Sequence, residues 1–223
     1  DNCDHEMDPS RPESIPDPAV RRISLYLRQL EAFSRKDRRT VSSKQLGESL
    51  SLTDAQVRKD LAYFGQFGHP GIGYNVDELI TKLRQALGTD KTWNVLLVGA
   101  GNLGRALMAY RGFESKGFKL VAVFDGDASK IGKQAGPHLI QPLTELGRTT
   151  RAQSIRVAIV AVPAEAAQDV ADQLVEAGIR GILNFAPVSL NVPASVTVNS
   201  VDLAVQMEQI SFAVSLSSIG QPP

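Results

Sequence analysis

Residues 95–104 read VLLVGAGNLG, and this stretch decides the fold of the larger part of the chain. Four apolar residues predict a buried strand, three glycines follow within six positions, and a helical stretch then runs to about Tyr110. A strand, a glycine loop and a helix in this order are typical of the first unit of a doubly wound parallel sheet. In such a unit Gly99 permits the tight turn, Gly101 lets backbone amides approach a pyrophosphate, and Gly104 lets helix and strand pack closely.

A second apolar strand, at 119–124, ends in Asp125, which lies twenty-one residues beyond Gly104. A carboxylate at this offset accepts hydrogen bonds from ribose hydroxyls and repels a 2′-phosphate. The sequence therefore predicts that NADH and NAD+ are the cofactors, in preference to their 2′-phosphorylated counterparts. The alternative is that Asp125 is only a turn residue at the end of a strand.

Strands and helices continue to alternate after this point. We expect strands at 155–162, 181–185 and near 196–198, and a helix at 164–177. They predict an α/β Rossmann domain with a doubly wound parallel sheet over residues 91–199, and ligands of such sheets bind beyond the carboxyl ends of the strands. Phe185 could equally belong to the core, and Pro163 could simply begin a helix. The candidate cofactor-binding residues are Gly99, Ala100, Gly101, Asn102, Leu103, Gly104, Asp125, Val162, Pro163, Asn184, Phe185, Ala186 and Pro187.

Residues 16–90 carry the pattern of a winged helix. A first helix begins at Asp17 and Pro18 and shows apolar residues at helical spacing. The short connection at 49–52 joins two further helices, as in a helix-turn-helix. Three residue pairs predict capped helix starts: Ser42 with Gln45, Thr53 with Gln56, and Asn75 with Glu78.

The second helix of this pair has the features of a DNA recognition helix. Because Val57 and Leu61 must face the core, we expect polar and basic side chains to face outward. The glycine-rich stretch GQFGHPGIGY at 65–74 then predicts a wing hairpin. The alternative is a small helical bundle with no nucleic-acid role. The candidate DNA-binding residues are Ser43, Gln56, Arg58, Lys59, Tyr63, Gly71 and Gly73.

The zero net charge of the chain hides a basic segment. Residues 19–73 hold ten basic against five acidic groups, whereas residues 1–18 hold one basic against six acidic groups. A basic segment suits contact with phosphates, and we expect an acidic, disordered arm at 1–15. The single cysteine, the scattered histidines and the lack of a long apolar run predict a cytoplasmic protein without a metal site or a membrane span.

The recognition helix QVRKDLAYFG, the wing GIGY, the loop GAGNLGRAL, the segment GILNFAP and the closing VDLAVQMEQISFA closely resemble the Rex family of redox-sensing transcriptional repressors. The resemblance runs from about residue 20 to residue 216. It implies a homodimer that exchanges a carboxyl-terminal helix within 200–223 and leaves its operator DNA when NADH binds. It also implies DNA contacts by Arg58, Lys59 and Tyr63, cofactor contacts by Gly99 to Gly104 and Asp125, and a switching set of Arg28, Tyr110 and Asp202. The alternative is that Arg28 is an exposed helix cation and that Asp202 caps the last helix.

One departure from the family concerns the wing, because His69 and Pro70 stand where family members often carry a basic pair. Two rival functions also stay open on the residues alone. A NAD-dependent dehydrogenase would need a proton-transfer group, yet no histidine lies in the predicted pocket. A binding module for a coenzyme A-like ligand would use the same fold, although Asp125 favours a ribose diol.

Overall fold

A computed structural model of the chain describes residues 15–68 and 72–219, with side chains described up to residue 216. The chain forms two compact units, residues 1–91 and 92–223. The predicted domain boundary after residue 90 lies one residue from this division. The wing residues His69, Pro70 and Gly71, and all but the last residue of the predicted acidic arm, fall outside the described residues.

The first unit is a winged helix. Its two short strands, β1 (Thr40–Val41) and β2 (Tyr74–Asn75), pair in antiparallel fashion, with Val41 opposite Tyr74. Its core forms because apolar residues on the helices recur at helical spacing and meet on one side; Ile23, Tyr26, Leu30, Val57 and Leu83 are fully buried. The helices are α1 (Asp17–Ser34), α2 (Ser43–Glu48), α3 (Asp54–Ala62) and α4 (Val76–Ala86).

Side-chain caps begin three of these helices, at the predicted positions. Ser42 and Gln45 form the complete capping box of α2, and Asn75 accepts a hydrogen bond from the backbone amide of Glu78 in α4. Only half of the box expected at α3 is present: Thr53 accepts from the backbone amide of Gln56. The Gln56 side chain does not reach back to Thr53, because it donates a hydrogen bond to a buried carboxylate instead.

The second unit contains one seven-stranded sheet in the order β5-β6-β4-β3-β7-β8-β9. All neighbours are parallel except the β5–β6 hairpin at the edge, and the order reverses between β3 and β7, which is where doubly wound sheets bind ligands. The strands are β3 (Trp93–Val98), β4 (Phe118–Asp125), β5 (Gln134–Ala135), β6 (His138–Pro142), β7 (Val157–Val160), β8 (Gly181–Asn184) and β9 (Thr197–Ser200).

Helices flank this sheet, as the sequence predicts for an α/β fold. One sheet face, with Leu96, Phe124 and Val160, packs with α7 residues such as Leu174, and the other face carries Leu97. The hairpin β5–β6 and the helix α6 were not predicted. Among the described residues, no helix combines the length and apolar character that crossing a membrane requires. The helices are α5 (Asn102–Ala109), α6 (Leu146–Ala152), α7 (Ala164–Glu176) and α8 (Leu203–Ile219), with 3-10 turns at Glu114–Lys116 and Leu143–Glu145.

Candidate functional site

A groove in the first unit runs between the recognition helix α3 and the segment leading to β2. Its volume is about 620 Å³. It brings together three of the predicted DNA-binding residues, since Ser43, Arg58 and Gly73 all line it. The other lining residues are Ser42, Leu61, Ala62, Gly65, Gln66, Phe67, Gly68, Ile72 and Tyr74.

Arg58 lies on the exposed side of α3 and lines this groove. Its Nη1 donates to Asp54 Oδ2 at 2.7 Å and to Ser43 Oγ at 3.1 Å, so it joins α3 to the start of α2. The hydrogen bond from Arg58 is the main cause that lowers the pKa of Asp54 below its usual value. Lys59 is exposed as expected, whereas Gln56 and Tyr63 are partly buried rather than fully exposed.

A buried carboxylate that the sequence analysis missed holds α3 against α1. Asp60 is fully buried and accepts from Arg22 Nε at 2.6 Å, Arg22 Nη2 at 2.8 Å and Tyr26 Oη at 2.7 Å. Gln56 Nε2 adds a fourth hydrogen bond at 2.7 Å. Burial alone would raise the pKa of Asp60, but these donors outweigh burial, so its pKa lies below the ordinary value. The sequence signal for this buried carboxylate was a charged residue directly before the core residue Leu61. That signal does not identify the donors that Asp60 binds.

The glycine loop of the second unit follows β3 and opens α5. Gly99 has a φ of +104°, and a side chain there would collide with the carbonyl of Ala161 on the neighbouring strand segment. A side chain at Gly104 would collide with the carbonyl oxygen of Gly99, so glycine is required for helix and loop to touch. Around Gly101, in contrast, no atom lies within 4 Å of an added Cβ. The loop therefore leaves open space beside the N-terminus of α5, where backbone amides favour a phosphate.

Asp125 lies at the end of β4, next to this loop, and is only 7% exposed. Its Oδ2 accepts from the Ala100 amide at 2.8 Å and from Lys130 Nζ at 3.1 Å, and its Oδ1 accepts from the Asp127 amide at 2.8 Å. Burial would raise the pKa of Asp125, but the two amides and the Lys130 ammonium together lower it. The carboxylate thus fixes the glycine loop, which is a contact that the sequence offset did not predict.

The predicted pocket rim divides into residues beside the loop and residues that support it. Val162 lies close to Gly99, while Pro163 is the N-cap of α7. Asn184 is fully buried: its Nδ2 donates to the carbonyls of Ala186 and Val188 at 3.2 and 2.8 Å, and its Oδ1 accepts from the Ala186 amide. Its amide therefore shapes the segment after β8. Ala186 is buried, Phe185 packs partly into the core, and Pro187 is exposed.

The three predicted switch residues occupy both units. Arg28 is exposed on α1. Tyr110 follows α5, is 59% exposed and packs edge-to-face against Phe113 with ring centres 5.0 Å apart. Asp202 Oδ1 accepts from the backbone amides of Ala204 and Val205, so Asp202 caps α8.

Two family models match the chain, one within the first unit and the other almost entirely within the second. The model described as "Putative DNA-binding protein N-terminus" matches residues 14–62, and the one described as "CoA binding domain" matches residues 90–188. A fold alone does not fix the ligand that a domain binds.

Relatives with assigned functions cover almost the whole chain. The redox-sensing transcriptional repressor Rex of Carboxydothermus hydrogenoformans is 51% identical over 90% of this chain and 96% of its own. Rex 1 of Thermotoga maritima is 42% identical over 91% of this chain and 97% of its own.

Solved structures agree with these relatives. A crystal structure of RSP in complex with beta-NAD+ and operator DNA matches with a TM-score of 0.87 at 36% identity, over 93% of this chain and 96% of that one. A structure of RSP in complex with beta-NADH matches with a TM-score of 0.83 at 34% identity, over 93% and 97% of the two chains. On this identity and coverage, the chain belongs to the Rex family of redox-sensing transcriptional repressors.

Proposed function

We propose that this chain represses transcription by binding operator duplex DNA when NADH is low, and that it releases the DNA when NADH binds. RSP, a Rex-family repressor, has been crystallised with operator DNA together with beta-NAD+, and separately with beta-NADH. The observation that carries the proposal is that one chain holds both the Arg58 groove and the open glycine loop. As a member of a repressor family, the chain is a regulator and not an enzyme.

The DNA-binding surface of the proposal is the exposed side of α3 with the start of α2. Arg58 and Lys59 supply positive charge for phosphates and base edges, and Ser43 supplies a hydroxyl. The N-terminal residues of a recognition helix contact bases in the major groove. Tyr63, Gly71 and Gly73 would add contacts from the end of α3 and from the wing.

The dinucleotide site of the proposal is the glycine loop with Asp125. The open space at Gly101 and the N-terminus of α5 suit the pyrophosphate, and Asp125 suits a ribose hydroxyl. Val162 and the segment after β8 line the expected path of the ligand. The bound dinucleotide supplies the signal, because its nicotinamide ring carries one positive charge in NAD+ and none in NADH.

The switch requires a contact that differs between the DNA-bound and released forms, since a ligand shifts an equilibrium only through differential affinity. Unit charges about 4 Å apart interact by roughly 4 kcal/mol at an effective dielectric near 20, which is enough to distinguish the two redox forms. We infer that Arg28, Tyr110 and Asp202 make this contact. They come from α1, from the end of α5 and from the start of α8.

We also propose a homodimer assembled through α8. Several large apolar residues of this helix are between 42% and 66% exposed: Leu203, Val205, Met207, Ile210, Phe212 and Leu216. Exposed apolar surface of this extent is typical of an interaction face. Exchange of α8 between subunits would cover it and would place two recognition helices on one operator. With a single cysteine and no internal disulfide, the dimer suits the cytoplasm.

A DNA-shift titration tests this function. Wild-type protein should bind a selected duplex in NAD+ and lose it as NADH rises, and salt should weaken binding steeply. Arg58→Ala should bind that duplex at least 10-fold more weakly because it loses a charged contact. Equal release by NADH and NAD+ would show that the redox response is wrong.

The same titration examines the switch. Arg28→Ala and Asp202→Asn should bind NADH and DNA but keep the DNA as NADH rises. Asparagine retains the α8 cap, so a defect in Asp202→Asn reports the lost charge. Unchanged release in both variants would remove these residues from the switch.

A further inference from the structure

The buried cluster around Asp60 fixes the orientation of a side chain on the recognition helix. Gln56 lies in the first turn of α3, and its Nε2 donates to Asp60 Oδ1 at 2.7 Å. A glutamine amide has one acceptor end and one donor end, which two rotamers of the terminal group exchange. The partner of the amide therefore decides which end faces away from the core.

The charge of Asp60 allows only one of these two orientations. Arg22 donates to both carboxylate oxygens, and Tyr26 donates to Oδ2, so that the carboxylate stays ionised. Turning Gln56 around would place Oε1 against an ionised oxygen, with no proton between two acceptors. The amide must therefore direct Nε2 toward Asp60. Within the described residues, no hydrogen bond occupies Oε1.

The orientation has a consequence for the bases that α3 reads. Once one Nε2 hydrogen is bound to Asp60, Gln56 retains Oε1 as an acceptor and one Nε2 hydrogen as a donor. Adenine presents the matching pair in the major groove, an N6 donor beside the N7 acceptor, whereas guanine presents two acceptors. First-turn residues of a recognition helix are the ones that contact base edges.

We propose that Gln56 reads an adenine in each operator half-site, and that Asp60 is the positioning residue that holds its amide for this contact. Arg22 and Tyr26 support Asp60 and do not touch the DNA in this role. The inference rests on the proposed DNA-binding function and adds the base that one side chain selects.

A binding selection tests the inference. Wild-type protein is incubated with a duplex library of about 20 random base pairs, long enough for two half-sites one helical turn apart. We expect one adenine position per half-site whose preference disappears in Gln56→Met, while preferences elsewhere remain. Gln85→Met, an exposed glutamine on α4, is the matched control and should select the wild-type sequence.

Single duplexes then separate base recognition from folding. Replacing that adenine with 7-deazaadenine removes N7 and should weaken wild-type binding about 5-fold, but should leave Gln56→Met binding unchanged. Asp60→Asn should lose the adenine preference, with thermal unfolding confirming that the variant is folded. If Asp60→Asn does not fold, the Gln56→Met and 7-deazaadenine results still decide.

The outcomes distinguish adenine recognition by Gln56 from DNA binding itself. If Gln56→Met and wild type select the same sequence, the inference is overturned while DNA binding stands. Loss of preference at a position other than adenine would also overturn it. If wild-type protein enriches no sequence at all, the proposed DNA-binding function itself fails.

Discussion

The carboxylate of Asp125 binds three donors within the second unit, from Ala100, Asp127 and Lys130. A carboxylate has about four acceptor positions, so one remains for a ribose hydroxyl. Lys130 lies 3.1 Å from the same group and offsets part of its negative charge. Preference against a 2′-phosphate therefore depends on how far the positive charge of Lys130 offsets the negative charge of Asp125.

We predict that Asp125→Asn narrows the difference between NADH and NADPH affinity, because repulsion of the 2′-phosphate is lost. The ratio of NADH affinity to NADPH affinity should fall about 5-fold, because unit charges about 4 Å apart interact by about 1 kcal/mol in water-like surroundings. Lys130→Gln should widen the difference. Calorimetry with both cofactors measures it, and Asp169→Asn on α7 serves as a control. Equal NADH and NADPH affinity in the wild type would contradict the assignment.

Single residues also show which side-chain orientations a sequence pattern predicts and which it does not. The exposed positions of Arg58 and Lys59 follow from the periodicity of Val57 and Leu61. The orientation of the Gln56 side chain toward the core does not follow from this periodicity. It depends on Asp60, whose ionised carboxylate is stabilised by Arg22, thirty-eight residues earlier in the chain. A contact at that separation is a property of tertiary packing, which helical periodicity alone does not contain.

At the scale of one element, Gly101 at the start of α5 and Gly104 within α5 should respond differently to substitution by alanine. Gly101→Ala adds a methyl group to open space, so the protein should unfold within about 0.5 kcal/mol of the wild type while NADH binding falls at least 10-fold. Gly104→Ala forces its methyl group onto the Gly99 carbonyl and should cost about 1–3 kcal/mol of stability.

Urea unfolding and NADH titration of both variants measure these effects. Gly126→Ala is the control, because an added Cβ there meets only a side-chain methyl group at 3.7 Å. Gly132→Ala is unsuitable, because the φ of Gly132 is positive. Normal NADH affinity in Gly101→Ala would place the pyrophosphate elsewhere.

Elements with a strong local signal could be predicted from the sequence, and elements set by pairing could not. The starts of α2 and α4 carry capping residues, and β3 and β4 are apolar runs, so their positions were predicted within a few residues. The strand expected at 155–162 is shorter and spans Val157–Val160, because only these four residues pair with β3 in the sheet. The hairpin β5–β6 lacks any apolar alternation and exists through pairing with β4.

At the scale of the whole molecule, α8 is the element whose apolar residues a second copy would cover. We predict that Phe212→Asp, at a residue 66% exposed in the single chain, shifts the protein from dimer to monomer and weakens operator binding at least 10-fold. Light scattering after size-exclusion chromatography measures the mass.

The control for this prediction is an apolar residue of similar exposure outside α8. Leu139→Asp changes a residue that is 58% exposed on β6 and should leave the dimer intact. A dimer that survives Phe212→Asp would assign the association to another surface.

The hydrogen bond from the Ala100 amide to Asp125 has a further consequence, for the speed of sensing. Because a bond within the chain itself holds the glycine loop, an arriving dinucleotide does not need to order the loop. Association without a slow rearrangement proceeds close to the encounter rate, and affinity differences then reside in the dissociation rate. A sensor built in this way follows a falling NADH level only as fast as NADH leaves, so the lifetime of the bound state sets how quickly repression returns.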